Sequence, residues 1–206
     1  MIPSRFVVEY PQRCSDLLCM LEADARKADL LGSFSVLVAS AAFTIPFSRI
    51  VEPKHPLGHH EDRLSKAIKK LKKVPFQRAP FFHEKSQIFF RYALIATNPE
   101  CTQSWRNSSG VHPIDSTEEK DGNTILRAIR NALAHGNVVY LDKWGHETPG
   151  EKLTYLGFIS KHESKQGNYR VAIFDGEGFL EFLKGWIKWI ASFPAETKFE
   201  FQEAAE

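Results

Sequence analysis

Apolar residues recur at helical spacing through the first part of the chain and change to a β-like pattern in the last third. Residues from about 12 to 29 predict an amphipathic helix, with Leu17, Leu18, Leu21 and Ala25 on one side. The stretch LLGSFSVLVASAAFTIPFS, residues 30 to 48, has no charge between Asp29 and Arg49 and predicts a second helix ending near Pro46. EPKHPLGHHED then reads as a loop rich in turn formers. Helical spacing resumes in EDRLSKAIKKLKKVPF, where Leu64, Ala67, Ile68 and Leu71 fall inward. Arg63, Lys66, Lys69, Lys70, Lys72 and Lys73 fall on the outer face of the same segment. HEKSQIFFRYALIAT predicts a further helix from about His83 to Thr97, and the polar stretch after it, broken by Gly110 and Pro113, a long loop.

NTILRAIRNALAHG predicts a short helix stopped by Gly136, which suits the left-handed position after a helix end. The period then shifts. NVVYLD, LTYLGFIS and YRVAIF are β-branched and aromatic runs parted by turn formers, and they predict a three-stranded antiparallel meander. Asp175 is placed to cap a last helix, GEGFLEFLKGWIKWIASF. Within it Phe179, Phe182, Trp186 and Trp189 recur at helical spacing, which predicts core packing or a dimer seam. The acidic tail from about 194 to 206 is expected to fray. The expected fold is mainly α: one domain over residues 1–206, a helical bundle with a small antiparallel β-meander at about 137–174 inserted before the last helix.

Composition narrows the possible functions only a little. Lys plus Arg number 27 against 25 acidic residues, so any footprint for nucleic acid must be local, and the 63–73 face is the candidate. The uncharged helix approaches membrane-spanning length, but its serines, glycine and Pro46 favour a buried bundle helix, and no membrane partner is expected. MIPSRFVVEYPQRC does not read as a secretory signal. Cys14, Cys19 and Cys101 form no C-x-x-C pair and leave one over, which fits a reducing, cytoplasmic setting. No cysteine or carboxylate spacing completes a metal site around His55, His59 and His60, and GEG at 176–178 is no phosphate loop. Neither a metal nor an organic cofactor is expected.

RNALAHG, residues 130–136, concentrates the chemistry. At about 100° per residue, Ile125, Leu126, Ile129, Ala132 and Leu133 share one sector of the helix, and Arg127, Arg130, Asn131 and His135 share another. Asn131 and His135 are four apart and therefore surface neighbours. Read by itself, the segment is also an ordinary helix end, with a histidine favourably placed in its last turn and glycine as its stop.

Arg130, the polar Asn131 and His135 resemble the R-x4-6-H signature of the HEPN superfamily, named for higher eukaryotes and prokaryotes nucleotide-binding proteins. RNALAHG followed by a β-run looks like bacterial HEPN proteins of plasmid or defence-island type. Arg49–His55, Arg78–His83 and Arg106–His112 also fit the bare spacing, but only Arg130–His135 lies on a helix with an apolar back. The resemblance implies a helical bundle that dimerises around the motif. In many members it also implies a metal-independent RNA endonuclease of toxin–antitoxin or abortive-infection systems, often beside a nucleotidyltransferase antitoxin.

The chemistry suits those residues. Cleaving RNA without metal requires removing the 2′-hydroxyl proton, stabilising the charged phosphorane and protonating the 5′-oxygen. Histidine titrates near neutrality and can act as base or acid, while arginine binds phosphate as a charged fork. One motif supplies one histidine, so a homodimer that pools two copies of Arg130, Asn131 and His135 in one cleft is the expectation. RNA is the expected partner, with Arg127 and the basic residues Arg63, Lys66, Lys69, Lys70, Lys72 and Lys73 as its electrostatic track. The rival reading is a module of the same fold that binds RNA, a nucleotide or a protein without cutting.

Overall fold

A computed structural model describes residues 6–51, 63–82, 90–95, 120–147, 153–161 and 168–193. The three loop histidines, Cys101, the long polar loop and the acidic tail lie outside the described residues. The described residues are mostly helical, with a small four-stranded antiparallel sheet.

The first helix, α1 (Phe6–Lys27), begins earlier than its spacing predicts. Its buried line is Pro11, Cys14 and Leu18, with Glu22 and Ala25 half-covered. Leu17 and Leu21, predicted to face inward, are exposed together with Met20. α1 lies against α2–α3 and α6, which cover a stripe narrower than the apolar arc of the helix. A wheel identifies the arc but not which flank finds a neighbour.

A turn through Asp29, whose φ is +57°, leads into α2 (Leu31–Ala39), a π-helical turn (Ser40–Thr44) and α3 (Ile45–Val51), which follow without a break. The helix therefore does not end near Pro46. Proline lacks an N–H and its ring crowds the carbonyl four residues back, here that of Ala42. The wider π turn makes room just before Pro46, and the Trp186 indole N–H donates to the Ala42 carbonyl at 3.3 Å. Ser35, Ala39, Phe43 and Phe47, four apart, are all buried. In a regular α-helix such positions drift by about 40° per step, and the wider turn absorbs part of that drift. Leu31–Val51 is long and apolar enough to cross a bilayer by length and composition, yet half of that window is buried within the protein.

Next come α4 (Arg63–Lys70) and a 3-10 turn (Leu71–Lys73). Leu64, Ile68 and Leu71 are buried and Ala67 is half-buried, as their spacing predicts.

The predicted helix at 83–97 is corrected. Phe90–Ile95 is a strand, β1, paired antiparallel to β4 (Tyr169–Asp175) in the register Phe90↔Phe174 to Ile95↔Tyr169. With β2 (Val138–Leu141) and β3 (Tyr155–Lys161) the sheet runs β1-β4-β3-β2, so among the described residues it has four strands rather than the three predicted. β1 takes the edge that β4 would otherwise leave open, and partnership rather than local period sets its state.

One sheet face, including Phe90, Tyr92, Leu156, Phe158, Ala172 and Phe174, joins the main core with α5 (Gly122–His135) and α6 (Gly176–Ala191). Leu141, Val171, Ile173 and Ile95 form a second, smaller core on the opposite face. Phe179, Phe182 and Trp186 are fully buried in the main core, with Trp189 packed at its margin. Each such aromatic contributes roughly 1.5–3 kcal/mol by leaving water. α6 passes close to the 76–82 segment at Gly185, where a Cβ would lie 1.9 Å from the Phe81 carbonyl oxygen. As predicted, Asp175 caps α6, its carboxylate accepting from the Gly178 N–H at 2.7 Å.

Candidate functional site

The helix carrying RNALAHG is fixed at both ends by its own sequence. At the start Asp121 accepts from the Thr124 N–H at 2.9 Å and from the Thr124 hydroxyl at 2.7 Å. At the end Gly136 adopts φ +69°, the Asn137 N–H reaches the Ala132 carbonyl at 2.8 Å, and the Gly136 N–H reaches that of Leu133 at 3.4 Å. This pair of bonds is the Schellman arrangement, and it releases the chain straight into β2. Ile125, Leu126, Ala128, Ile129 and Ala132 are buried, while Leu133 is half-buried. The apolar back expected from the wheel is present, and it anchors α5 on the sheet and the π turn.

Arg130 and Asn131 are half-buried, and His135 is exposed one turn beyond Asn131. Two hydrogen bonds from the Arg130 guanidinium reach side chains of the bundle. Its Nε donates to the Ser48 hydroxyl of α3 at 2.8 Å, and its Nη1 donates to the Asn131 side-chain oxygen at 2.9 Å. Desolvation by burial lowers the Arg130 pKa from the ordinary arginine value. A partly desolvated, positioned cation binds an anion more strongly than a freely hydrated one. Since Asn131 turns its oxygen to Arg130, its amide N–H groups are the part left to donate elsewhere.

Of the predicted set, Arg130 and Asn131 touch each other, and His135 shares their helix without joining their hydrogen bonds. Arg127 is half-buried on the same helix. Arg63, Lys66, Lys69, Lys70, Lys72 and Lys73 are all exposed, as an electrostatic face requires. The turn that ends this basic segment packs at the start of α5, where the Gly122 N–H donates to the Val74 carbonyl at 2.8 Å. With 14 residues in α5, Lys72 and Lys73 thus lie by the end of the helix opposite His135, about 20 Å along its axis.

Two site features escape sequence reasoning. Asp121 carries a legible signal, an N-cap aspartate three residues before Thr124. Ser48 carries none, because its partner lies 82 positions away. Of the other arginines that fit the bare spacing, Arg49 is buried in α3 and Arg78 is exposed in a 3-10 turn. Their histidine partners, and both members of the Arg106–His112 pair, lie outside the described residues. Among the described residues no three His, Cys, Asp or Glu side chains gather as a metal site.

Among known protein families, the family model described as HEPN pEK499 p136 aligns with residues 4–196. No curated protein and no solved structure matches the chain.

Proposed function

The chain belongs to the HEPN pEK499 p136 family, and on that premise we propose that it is a metal-independent endoribonuclease acting at Arg130, Asn131 and His135. The observation that carries this reading is the Arg130 guanidinium, part-desolvated and tied to Ser48 and Asn131, on the same helix as an exposed histidine one turn beyond Asn131. Arg130 would hold the scissile phosphate and its developing charge, His135 would move the proton, and the Asn131 amide would orient the phosphate or sugar.

A single histidine serves poorly as base and acid in one turnover, so the active form is a homodimer with two motifs facing one cleft. The α2–α3 run supports that form. Leu37 and Ile45 are 69% and 43% exposed on it, and Ile45 lies about one turn before the Ser48 that holds Arg130. A second copy would cover this apolar edge beside the site. The biological role that follows is a cytoplasmic toxin or defence nuclease, restrained by a partner such as a nucleotidyltransferase antitoxin.

The test is cleavage of single-stranded RNA by purified protein in the presence of a chelator, with the mass in solution measured in parallel. Cleavage by the wild type that His135→Ala abolishes supports the reading. Equal cleavage by His135→Ala overturns it, and binding of RNA without cleavage establishes the non-catalytic module instead.

A further inference from the structure

We propose that Ser48 is a positioning residue for Arg130, delivered to it by the passage of the helix through Pro46. The inference rests on the nuclease reading above and adds to it a residue outside the RNALAHG motif. Arginine has four rotatable side-chain bonds, and ordering such a chain costs rotamer freedom. Asn131 holds Nη1 from the next position on the same helix, so it moves with α5. Ser48 holds Nε from a different helix, at 2.8 Å, and thereby refers the guanidinium to the bundle as a whole. Two anchored nitrogens fix both the position and the plane of the fork.

Ser48 reaches Arg130 only because α3 exists. Had the helix stopped at Pro46, Ser48 would belong to the chain leaving it. The π turn at Ser40–Thr44 and the Trp186–Ala42 bond carry the helix past the proline, to Val51. Phe47 is buried in the core beside Phe43 and Trp186, which fixes the rotation of α3 about its axis and so the direction of its neighbour Ser48. The positioning chain runs Trp186, Ala42, the π turn, Phe47, Ser48, Arg130.

The experiment compares Ser48→Thr with Ser48→Val in the full chain. These two side chains match closely in shape and differ in the hydroxyl, so both bear the same steric change. Ser48→Ala is measured beside them. Single-turnover cleavage of single-stranded RNA is read against RNA affinity, and the exchange of the Arg130 Nε–H is read by nitrogen-edited NMR. Threonine is expected to keep the cleavage rate and a slowly exchanging Nε–H. Valine and alanine are expected to lose on the order of 100-fold in rate, with affinity little changed and Nε–H exchange accelerated. Equal rates for threonine and valine, or an Nε–H indifferent to the hydroxyl, overturn the proposal. If the wild type itself does not cut RNA, the nuclease reading fails, and the Nε–H comparison alone decides whether Ser48 holds Arg130.

Discussion

Trp186 of α6 donates its indole N–H to the backbone carbonyl of Ala42, the group whose usual α-helical donor is missing because position 46 is proline. The ring is fully buried and meets Phe43 edge-on at 4.9 Å between centroids. Replacing it by phenylalanine keeps an aromatic ring, removes the donor and leaves a void. An orphaned buried carbonyl costs about 1–3 kcal/mol, and lost contacts add to that. Trp186→Phe should therefore lower unfolding free energy by about 2–4 kcal/mol in urea titrations. On the proposed nuclease reading it should also reduce RNA cleavage per folded molecule, because the same bond carries α3 past Pro46 toward Arg130.

Gly136 makes a more local contribution. Its φ of +69° is left-handed, and a Cβ added there meets nothing within 4 Å, so strain is the expected penalty rather than a clash. Gly136→Ala should cost about 1–2 kcal/mol from that conformation alone. Gly136→Asn should cost less, since asparagine tolerates the region better. Denaturant midpoints of the two variants check the order. A larger loss for asparagine than for alanine would contradict the assignment.

These two positions differ in how visible they are from sequence. Gly136, Asp175 and the apolar back of α5 are legible because caps and helical faces depend on residues within a few positions. The strand at Phe90–Ile95 is not, because its alternation is short and its partner, Phe174 opposite Phe90, lies more than eighty positions on. The passage through Pro46 is hidden for the same reason, its compensating donor being Trp186. The candidate site divides likewise. Arg130, Asn131 and His135 sit on one helix and can be read together, whereas Ser48 becomes visible only when α3 meets α5.

Acid sensitivity follows from the charges that join α1 to α6. The Arg26 guanidinium bonds Glu22 and Glu177, and Lys184 reaches Glu22 at 2.9 Å. The bond from Arg26 holds the Glu177 pKa below the ordinary glutamate value. For Glu22, burial pulls upward, but the bonds from Lys184 and Arg26 outweigh it and lower the pKa. Groups with depressed folded pKa values add stability above their unfolded pKa and lose it as pH falls through the folded one. Asp175 works in the opposite sense, its pKa raised chiefly by burial, so acidification relieves part of its cost. Stability measured from neutral pH down past the glutamate range should fall, and Glu22→Gln with Glu177→Gln should flatten that fall. An unchanged slope in the double variant would remove the network from the account.

The basic face gives a test of whether RNA binds as proposed. Lys69, Lys70, Lys72 and Lys73 are exposed, and the turn after them is pinned to the start of α5, the end opposite His135. If RNA lies along α5 from this face to the motif, these lysines neutralise phosphates and release counterions when it binds. Each phosphate so neutralised on a single strand adds about 0.7 to the slope of log affinity against log salt, so replacing all four with glutamine should reduce the slope by up to about 3. The cleavage step with saturating RNA should stay near wild type, because Lys72 and Lys73 lie by the end of α5 opposite His135, about 20 Å along its axis, and none of the four lysines belongs to the proposed catalytic set. The reverse pattern, a slope unchanged with cleavage lost, would place the lysines outside the RNA path and the defect in folding or pairing. A slope reduced with cleavage intact would separate the track from the chemistry, with binding on the flank of α4 and catalysis at the far end of α5.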